Sequence, residues 1–398
     1  MTQKTDKKAI FSLNLGHFMA DLYSSALAPL YPYVAGKLEI SLALISMIIS
    51  FAHMISSTLQ PIFGFYADKT VHRIFMFWGL VFGGLFIPLA IFAKNPILFG
   101  VFLMCAIIGN AMFHPQVTAM VAIFNYNNPT LNKYLGIFLA VGIVGYSLGP
   151  VFSSNLIEFF GINSLWTIAV LGVISAFILY FTVPKLSKSI VNTSDENIFE
   201  VIKIVWKNKA LMALLLISVT KSMVSVSFGT YMPFLLEKMG YSINIIGFVL
   251  TVFFFFSGVA SVVSNKIERY VGAKNVIRIS FYGMLPLAIL ILLTMEKWPI
   301  FALVVFGILG FFTFLSVSIN LVLAQKILPQ YKAVASGFVG GFSWALAALT
   351  LSPLGFVAQG ISIPAVFITV TTIALFVGIF GFNKELNGYF EKYKNREL

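Results

Sequence analysis

The chain has 398 residues, of which 59% are hydrophobic and only 10% charged, against ~25% charged in soluble domains. That excludes a soluble globular protein and indicates an integral membrane protein. The net charge of +12 does not imply nucleic acid, because the basic residues sit in short loops between apolar runs, and the single Cys105 excludes an intrachain disulfide.

Apolar runs long enough to span a bilayer recur along the chain. Spans are predicted near residues 9–35, 42–66, 74–93, 97–123, 131–157 and 163–183. A second set is predicted near 210–236, 243–265, 276–294, 299–325, 332–358 and 363–383. The expected fold class is an all-α membrane protein with twelve transmembrane helices in two six-helix pseudo-symmetric halves. The expected divisions are an N-terminal half 1–183, a cytoplasmic linker loop 184–209 and a C-terminal half 210–398 with a short cytoplasmic tail.

The first span contains Asn14-Leu15-Gly16-His17-Phe18-Met19-Ala20-Asp21. His17 and Asp21 are four apart and share a helix face. Asp21 lies roughly 18 Å into the span at ~1.5 Å per residue, near the middle of a ~30 Å hydrocarbon layer. An acid there costs several kcal/mol unless it faces protein, water or a partner. Asn14, His17, Asp21, Ser24 and Ser25 form a stripe suited to an interior. That stripe reads as a proton- or substrate-handling site, or as a structural helix–helix hydrogen bond. Lys4, Lys7, Lys8 and Ala26-Leu27-Ala28 imitate a signal peptide, but His17 and Asp21 interrupt its apolar core. A retained first helix is expected.

With the N-terminus inside, the outer loops hold only Lys37, Lys94, Lys238 and Lys297. Every other Lys or Arg except Lys221 falls in an inner segment. This bias puts both termini and the linker in the cytoplasm, as a multi-pass protein of the cytoplasmic membrane. Under a shift of 201 residues Pro32 lies on Pro233, Lys37 on Lys238 and Ser41 on Ser242. The two halves thus resemble each other, and a substrate site at midplane between halves is a known transporter design. Lys221 then falls on Ala20, beside the match of Asp21. It lies deep in the seventh span, so it reads as a counter-ion for Asp21 or as a base for an anionic cargo. In the linker, Glu200, Lys203 and Lys207 suit a short amphipathic surface helix or a solvated connection.

The loop after the second span reads Gly64-Phe65-Tyr66-Ala67-Asp68-Lys69-Thr70-Val71-His72-Arg73. It resembles the cytoplasmic loop motif of the major facilitator superfamily at Gly64, Asp68, Lys69 and Arg73, and departs from it at Val71 and His72. The resemblance implies a lock on the cytoplasmic gate. Glu268, Arg269, Gly272 and Lys274 echo it weakly in the second half. The fifth span carries Gly136, then Gly145, then Gly149-Pro150. Gly145 and Gly149 form a small-xxx-small face and Pro150 loosens the helix. The spacing resembles the antiporter motif of drug:proton exporters in that superfamily. The fourth span carries Asn110 and Phe113-His114-Pro115 and no arginine. With His17 and Asp21, this resembles the fosmidomycin-resistance branch. His114 either replaces the missing arginine as a proton relay or hydrogen-bonds across helices.

His53 and Gln60 share a face of the second span, where interhelical hydrogen bonding competes with a cavity role. Ser225, Asn320 and Trp344 are further cavity candidates, although a Trp at such a position is more often a packing residue. The expected function is a proton-coupled exporter of a small anionic or zwitterionic compound, such as a drug, metallophore or metabolite, by alternating access. The candidate coupling and substrate residues are His17, Asp21, Lys221, His114 and His53. No cofactor or metal is expected; the proton gradient supplies energy. The expected partners are the cargo, protons and the lipid bilayer, with the chain a monomer and no nucleic acid bound. One rival is a symporter importing an organic anion or siderophore-type compound. The other is an intramembrane metalloenzyme using His17, Asp21, His53 and His114, which are plausible ligand types, although His-Glu-x-x-His is absent.

Overall fold

The computed structural model describes residues 7–68, 72–124, 131–184 and 198–394. Its longer helices are α1 (Lys7–Ala26), α2 (Tyr31–Lys37), α3 (Leu42–Asp68), α4 (Ile74–Ile91), α5 (Pro96–Phe124), α6 (Leu131–Phe160) and α7 (Trp166–Thr182). Then come α8 (Ile198–Lys207), α9 (Lys209–Lys238), α10 (Ile243–Val271), α11 (Ala273–Tyr282), α12 (Met284–Thr294), α13 (Pro299–Phe314) and α14 (Val317–Ile327). The chain continues through α15 (Lys332–Ser336), a π-helix (Gly337–Phe342), α16 (Ser343–Gly360), α17 (Ile363–Phe380) and α18 (Lys384–Lys394). The described residues contain no strand.

Eleven helical segments among the described residues are long and apolar enough to cross a membrane. They match the second to twelfth predicted spans. The first span is the 20-residue helix α1, about 30 Å long. Its Asn14, His17, Asp21 and Ser24 keep its mean hydropathy below that of the others. Its predicted run to residue 35 is broken, because Pro29 and Pro32 direct a 3-10 turn and the short helix α2. The predicted span 276–294 is divided at Gly283, and 299–325 at Leu315–Ser316. The predicted linker contains α8, whose Val205 is buried and whose Trp206 packs edge-on against Phe338 at 5.3 Å. It therefore docks on protein rather than connecting as a bare loop.

Helix starts follow local chemistry. Ser362 caps α17 by accepting from the Ala365 N–H, with Pro364 in the first turn. Asn208 accepts from the Ala210 and Leu211 N–H groups and so opens α9.

The chain forms two compact units. One comprises Met1–Ser41, Phe51–Ser194 and Pro233–Thr251; the other comprises Leu42–Ser50, Asp195–Met232 and Val252–Leu398. In the first, α1 packs along α6 and α7, and α4 along α5 and α7. In the second, α12 packs along α13 and α17, and α11 also meets α17. The α1–α6 contact positions the first site, and the break between α13 and α14 the second.

Candidate functional site

Each unit holds a buried polar cluster. In the first, α1 presents His17 and Asp21 one turn apart, α5 supplies His114, and α6 supplies Phe138. His17 Nε2 lies 3.2 Å from Asp21 Oδ2, and His114 Nε2 lies 3.2 Å from Asp21 Oδ1. His17 Nδ1 lies 2.8 Å from the Phe138 carbonyl oxygen. The His17 ring stacks on Phe138 with centroids 3.9 Å apart, and His114 meets it edge-on at 5.3 Å.

These contacts determine where protons sit. A carbonyl oxygen only accepts, so His17 Nδ1 donates to Phe138. A neutral His17 then presents a lone pair at Nε2. A carboxylate oxygen also presents a lone pair, and two acceptors do not hold each other at 3.2 Å. A proton therefore lies between them, on the imidazole or on the carboxyl, and the pair is neutral either way. His114 donates from Nε2 to the other oxygen. The side chain of His17 is 7% exposed, that of Asp21 16% and that of His114 23%. The most exposed edge of the cluster is thus the His114 edge.

Glycines on α6 permit this approach. A Cβ on Gly142 would lie 2.3 Å from His17 Cε1 and 2.5 Å from Asp21 Oδ2. One on Gly145 would lie 2.3 Å from the Phe18 carbonyl oxygen, and one on Gly149 would lie 2.1 Å from Ser25 Oγ. Helix α6 continues through Pro150, whose carbonyl accepts from Ser153. Beside the cluster, Asn110 Nδ2 donates to Ser24 Oγ at 2.6 Å, and Ser24 donates to the Ala20 carbonyl. The Oδ1 atoms of Asn14 and Asn110 are buried without a hydrogen-bond partner.

The donor atoms of His17, Asp21 and His114 lie within 4.8 Å of one another, close enough to hold one cation. His53 stands outside this group, half-buried on α3, as does Gln60. Gly64 lies against the Pro115 ring, with 3.5 Å left for a Cβ. Arg73 donates to the Val183 carbonyl and stacks over Tyr180 at 4.7 Å. Lys69 and the side chain of Asp68 lie outside the described residues.

In the second unit, Lys221 of α9 is 2% exposed. Its Nζ lies 3.3 Å from the Thr313 carbonyl oxygen, 3.4 Å from that of Phe312 and 5.2 Å from the Phe281 ring centroid. Lys221, Asn320 and Trp344 line one cavity of about 250 Å³ together with Ser218, Ser222 and Thr313. Three residues singled out separately in the sequence are thereby brought together. Ser225 is buried on the same helix and is not among the lining residues.

Phe138 and Gly142 were not legible as site residues. Phe138 acts through a backbone carbonyl, which any residue would supply. Gly142 stands between Gly136 and Gly145, and its spacing alone carried no role.

The chain matches the family model described as Major Facilitator Superfamily over residues 13–353. It is 27% identical over 372 residues to the fosmidomycin resistance protein of Escherichia coli (strain K12), covering 89% of this chain and 87% of that one. It is 23% identical over 386 residues to the uncharacterized MFS-type transporter YfnC of Bacillus subtilis (strain 168), covering 91% and 88%. Among solved structures, a point mutant of the nucleoside transporter NupG superposes with a TM-score of 0.79 at 14% identity, covering 94% of this chain and 98% of that one. An inward-facing, occupied bacterial homolog of the human lysosomal transporter Spinster gives 0.76 at 13% identity, covering 98% and 99%. At those identities the structures show the fold alone. The family match, the helical spans and the curated relative agree: this chain belongs to the Major Facilitator Superfamily and is a multi-pass membrane transporter of small molecules.

Proposed function

We propose that the protein exports a small anionic or zwitterionic compound across the cytoplasmic membrane in exchange for protons, by alternating access. The observation that carries this reading is the 3.2 Å contact of His17 Nε2 with Asp21 Oδ2 while His17 Nδ1 lies on the Phe138 carbonyl, an arrangement that calls for a shared proton. Loss of that proton leaves two facing acceptors on α1 and an uncompensated negative charge in a buried site, which is unfavourable. Proton release and rearrangement of the α1–α5–α6 contact are then one event, which is what coupling requires. His114, the most exposed member, is the exchange route to water. The Gly145–Gly149–Pro150 segment of α6 supports export over import, because its spacing resembles that of drug:proton antiporters. The Escherichia coli relative is named for resistance to fosmidomycin, and export of a compound is one route to resistance against it. The distribution of Lys and Arg supports cytoplasmic termini.

The test uses purified protein in proteoliposomes with radiolabelled fosmidomycin as probe. With an acidic lumen, the probe should accumulate inside as protons leave. Asp21→Asn should abolish accumulation driven by the pH gradient while retaining exchange down a probe gradient. Full pH-driven accumulation by Asp21→Asn would show that Asp21 is not the coupling residue. Accumulation only when protons enter with the probe would establish import by symport.

A further inference from the structure

We infer that the cavity beside Lys221 is a subsite for an anionic group, carboxylate or phosphonate, on a small compound that also carries a hydrogen-bond donor. The inference rests on the reading that this chain carries small polar cargo, and it specifies where the cargo's charge is held.

Lys221 carries a buried amine with incomplete partners. Among the described residues no carboxylate forms an ion pair with it. Its two carbonyl contacts, at 3.3 and 3.4 Å, are longer than the 2.7–3.2 Å of ordinary N–H···O bonds. A buried ammonium in that condition is costly unless an anion completes it. The carbonyls it touches belong to the last turn of α13, where the helix stops before Leu315 and Ser316. Those last carbonyls have no intrahelical donor, so they hold the lysine end in place beside the cavity.

The rest of the wall defines the second feature of the ligand. Asn320 is 1% exposed and gives its Nδ2 to Ser218 Oγ at 3.2 Å. Its Oδ1 is buried with no partner. An unpaired buried acceptor costs free energy that a ligand N–H or O–H recovers. Ser222 also lines the cavity and supplies a hydroxyl donor for the anion. A lysine amine and an orphan acceptor lining one cavity therefore match an anionic group with a nearby amine or hydroxyl.

The cavity's volume of about 250 Å³ falls just below the ~300–1,000 Å³ of whole-ligand sites, which fits a subsite for one end of a molecule. Its lining also includes Val339 and Gly340 from the π-helix Gly337–Phe342. Such bulges recur at functional sites. A Cβ on Gly340 would lie 2.8 Å from Leu321, so a side chain there would press on the cavity wall.

The test measures equilibrium binding to the purified full-length protein without a proton gradient. The probes are 3-aminopropylphosphonate (anion and donor), propylphosphonate (anion alone) and 3-amino-1-propanol (donor alone). The wild type should bind the aminophosphonate more tightly than propylphosphonate and should not bind the alcohol. Lys221→Met should weaken both phosphonates by about tenfold or more, and Lys221→Arg should recover part of that loss. Asn320→Ala should weaken the aminophosphonate and leave propylphosphonate unchanged. Thermal unfolding of each variant separates lost binding from lost fold. Unchanged affinity in Lys221→Met, or a wild type that binds neither phosphonate, would overturn the subsite. A protein that binds phosphonate through Lys221 but moves no protons would overturn only the coupling reading.

Discussion

Gly142 faces His17 at a distance that leaves no room for a side chain: a Cβ there would sit 2.3 Å from His17 Cε1. The close approach of α6 to α1 is therefore part of the site, not only of the packing. Gly142→Ala is expected to push the imidazole off the Phe138 stack and away from Asp21. Transport in proteoliposomes should fall by an order of magnitude or more, while overpacking costs about 1–3 kcal/mol of stability. Flux together with thermal unfolding checks this, and wild-type flux in Gly142→Ala would remove Gly142 from the site.

The Nδ1–H bond from His17 to the Phe138 carbonyl obliges the His17–Asp21 contact to hold a proton. Glutamine at position 17 can offer Asp21 a permanent N–H donor instead. His17→Gln is therefore expected to hold the α1 cluster without a titrating proton. In the wild type, loss of the shared proton would add one negative charge to the cluster. Probe binding should then vary with pH in the wild type and become flat in His17→Gln. A retained wild-type pH profile would show that the titrating proton lies elsewhere.

The glycines of the α6 motif are not equivalent. A Cβ on Gly145 would meet the Phe18 carbonyl oxygen at 2.3 Å, whereas one on Gly136 would meet nothing within 4 Å. Backbone cannot rotate away as a side chain can. Gly145→Ala should lower stability by about 1–3 kcal/mol and reduce transport. Gly136→Ala should leave both near wild type or slightly improve stability, since it removes unfolded-chain freedom. Equal thermal unfolding of the two variants would contradict the packing assignment.

Trp206 of the linker helix packs on Phe338 and Phe342, with ring centroids 5.3 and 6.1 Å away. Both phenylalanines belong to the π-helix whose Gly340 lines the Lys221 cavity. Such aromatic pairs contribute about 0.5–1.5 kcal/mol each beyond burial. Trp206→Ala should make the linker more sensitive to limited proteolysis and weaken phosphonate binding by a few-fold, with little effect on the His17 cluster. Unchanged cleavage kinetics would show that α8 is not held by this contact.

The twelve-span plan was legible because long apolar runs have one solution in lipid: a helix that satisfies its own backbone. His17, Asp21 and His114 were legible as candidates for the complementary reason, that polar groups are costly there and are retained where they do something. Helix breaks at Gly283 and Leu315–Ser316 were not, since local apolarity continues across them. Lys221, Asn320 and Trp344 are far apart in sequence, so no spacing rule could assign them to one cavity. Nor could residue type reveal Phe138, whose contribution is a carbonyl oxygen, or Gly142, whose contribution is space. The sequence by itself determined the membrane class, the number of spans and which polar residues had to be protected from lipid. Tertiary structure alone decided that the Asp21 carboxyl lies between two imidazoles. That outcome depends on how closely α1, α5 and α6 approach and on which ring nitrogen finds a carbonyl, neither of which is encoded at any one position.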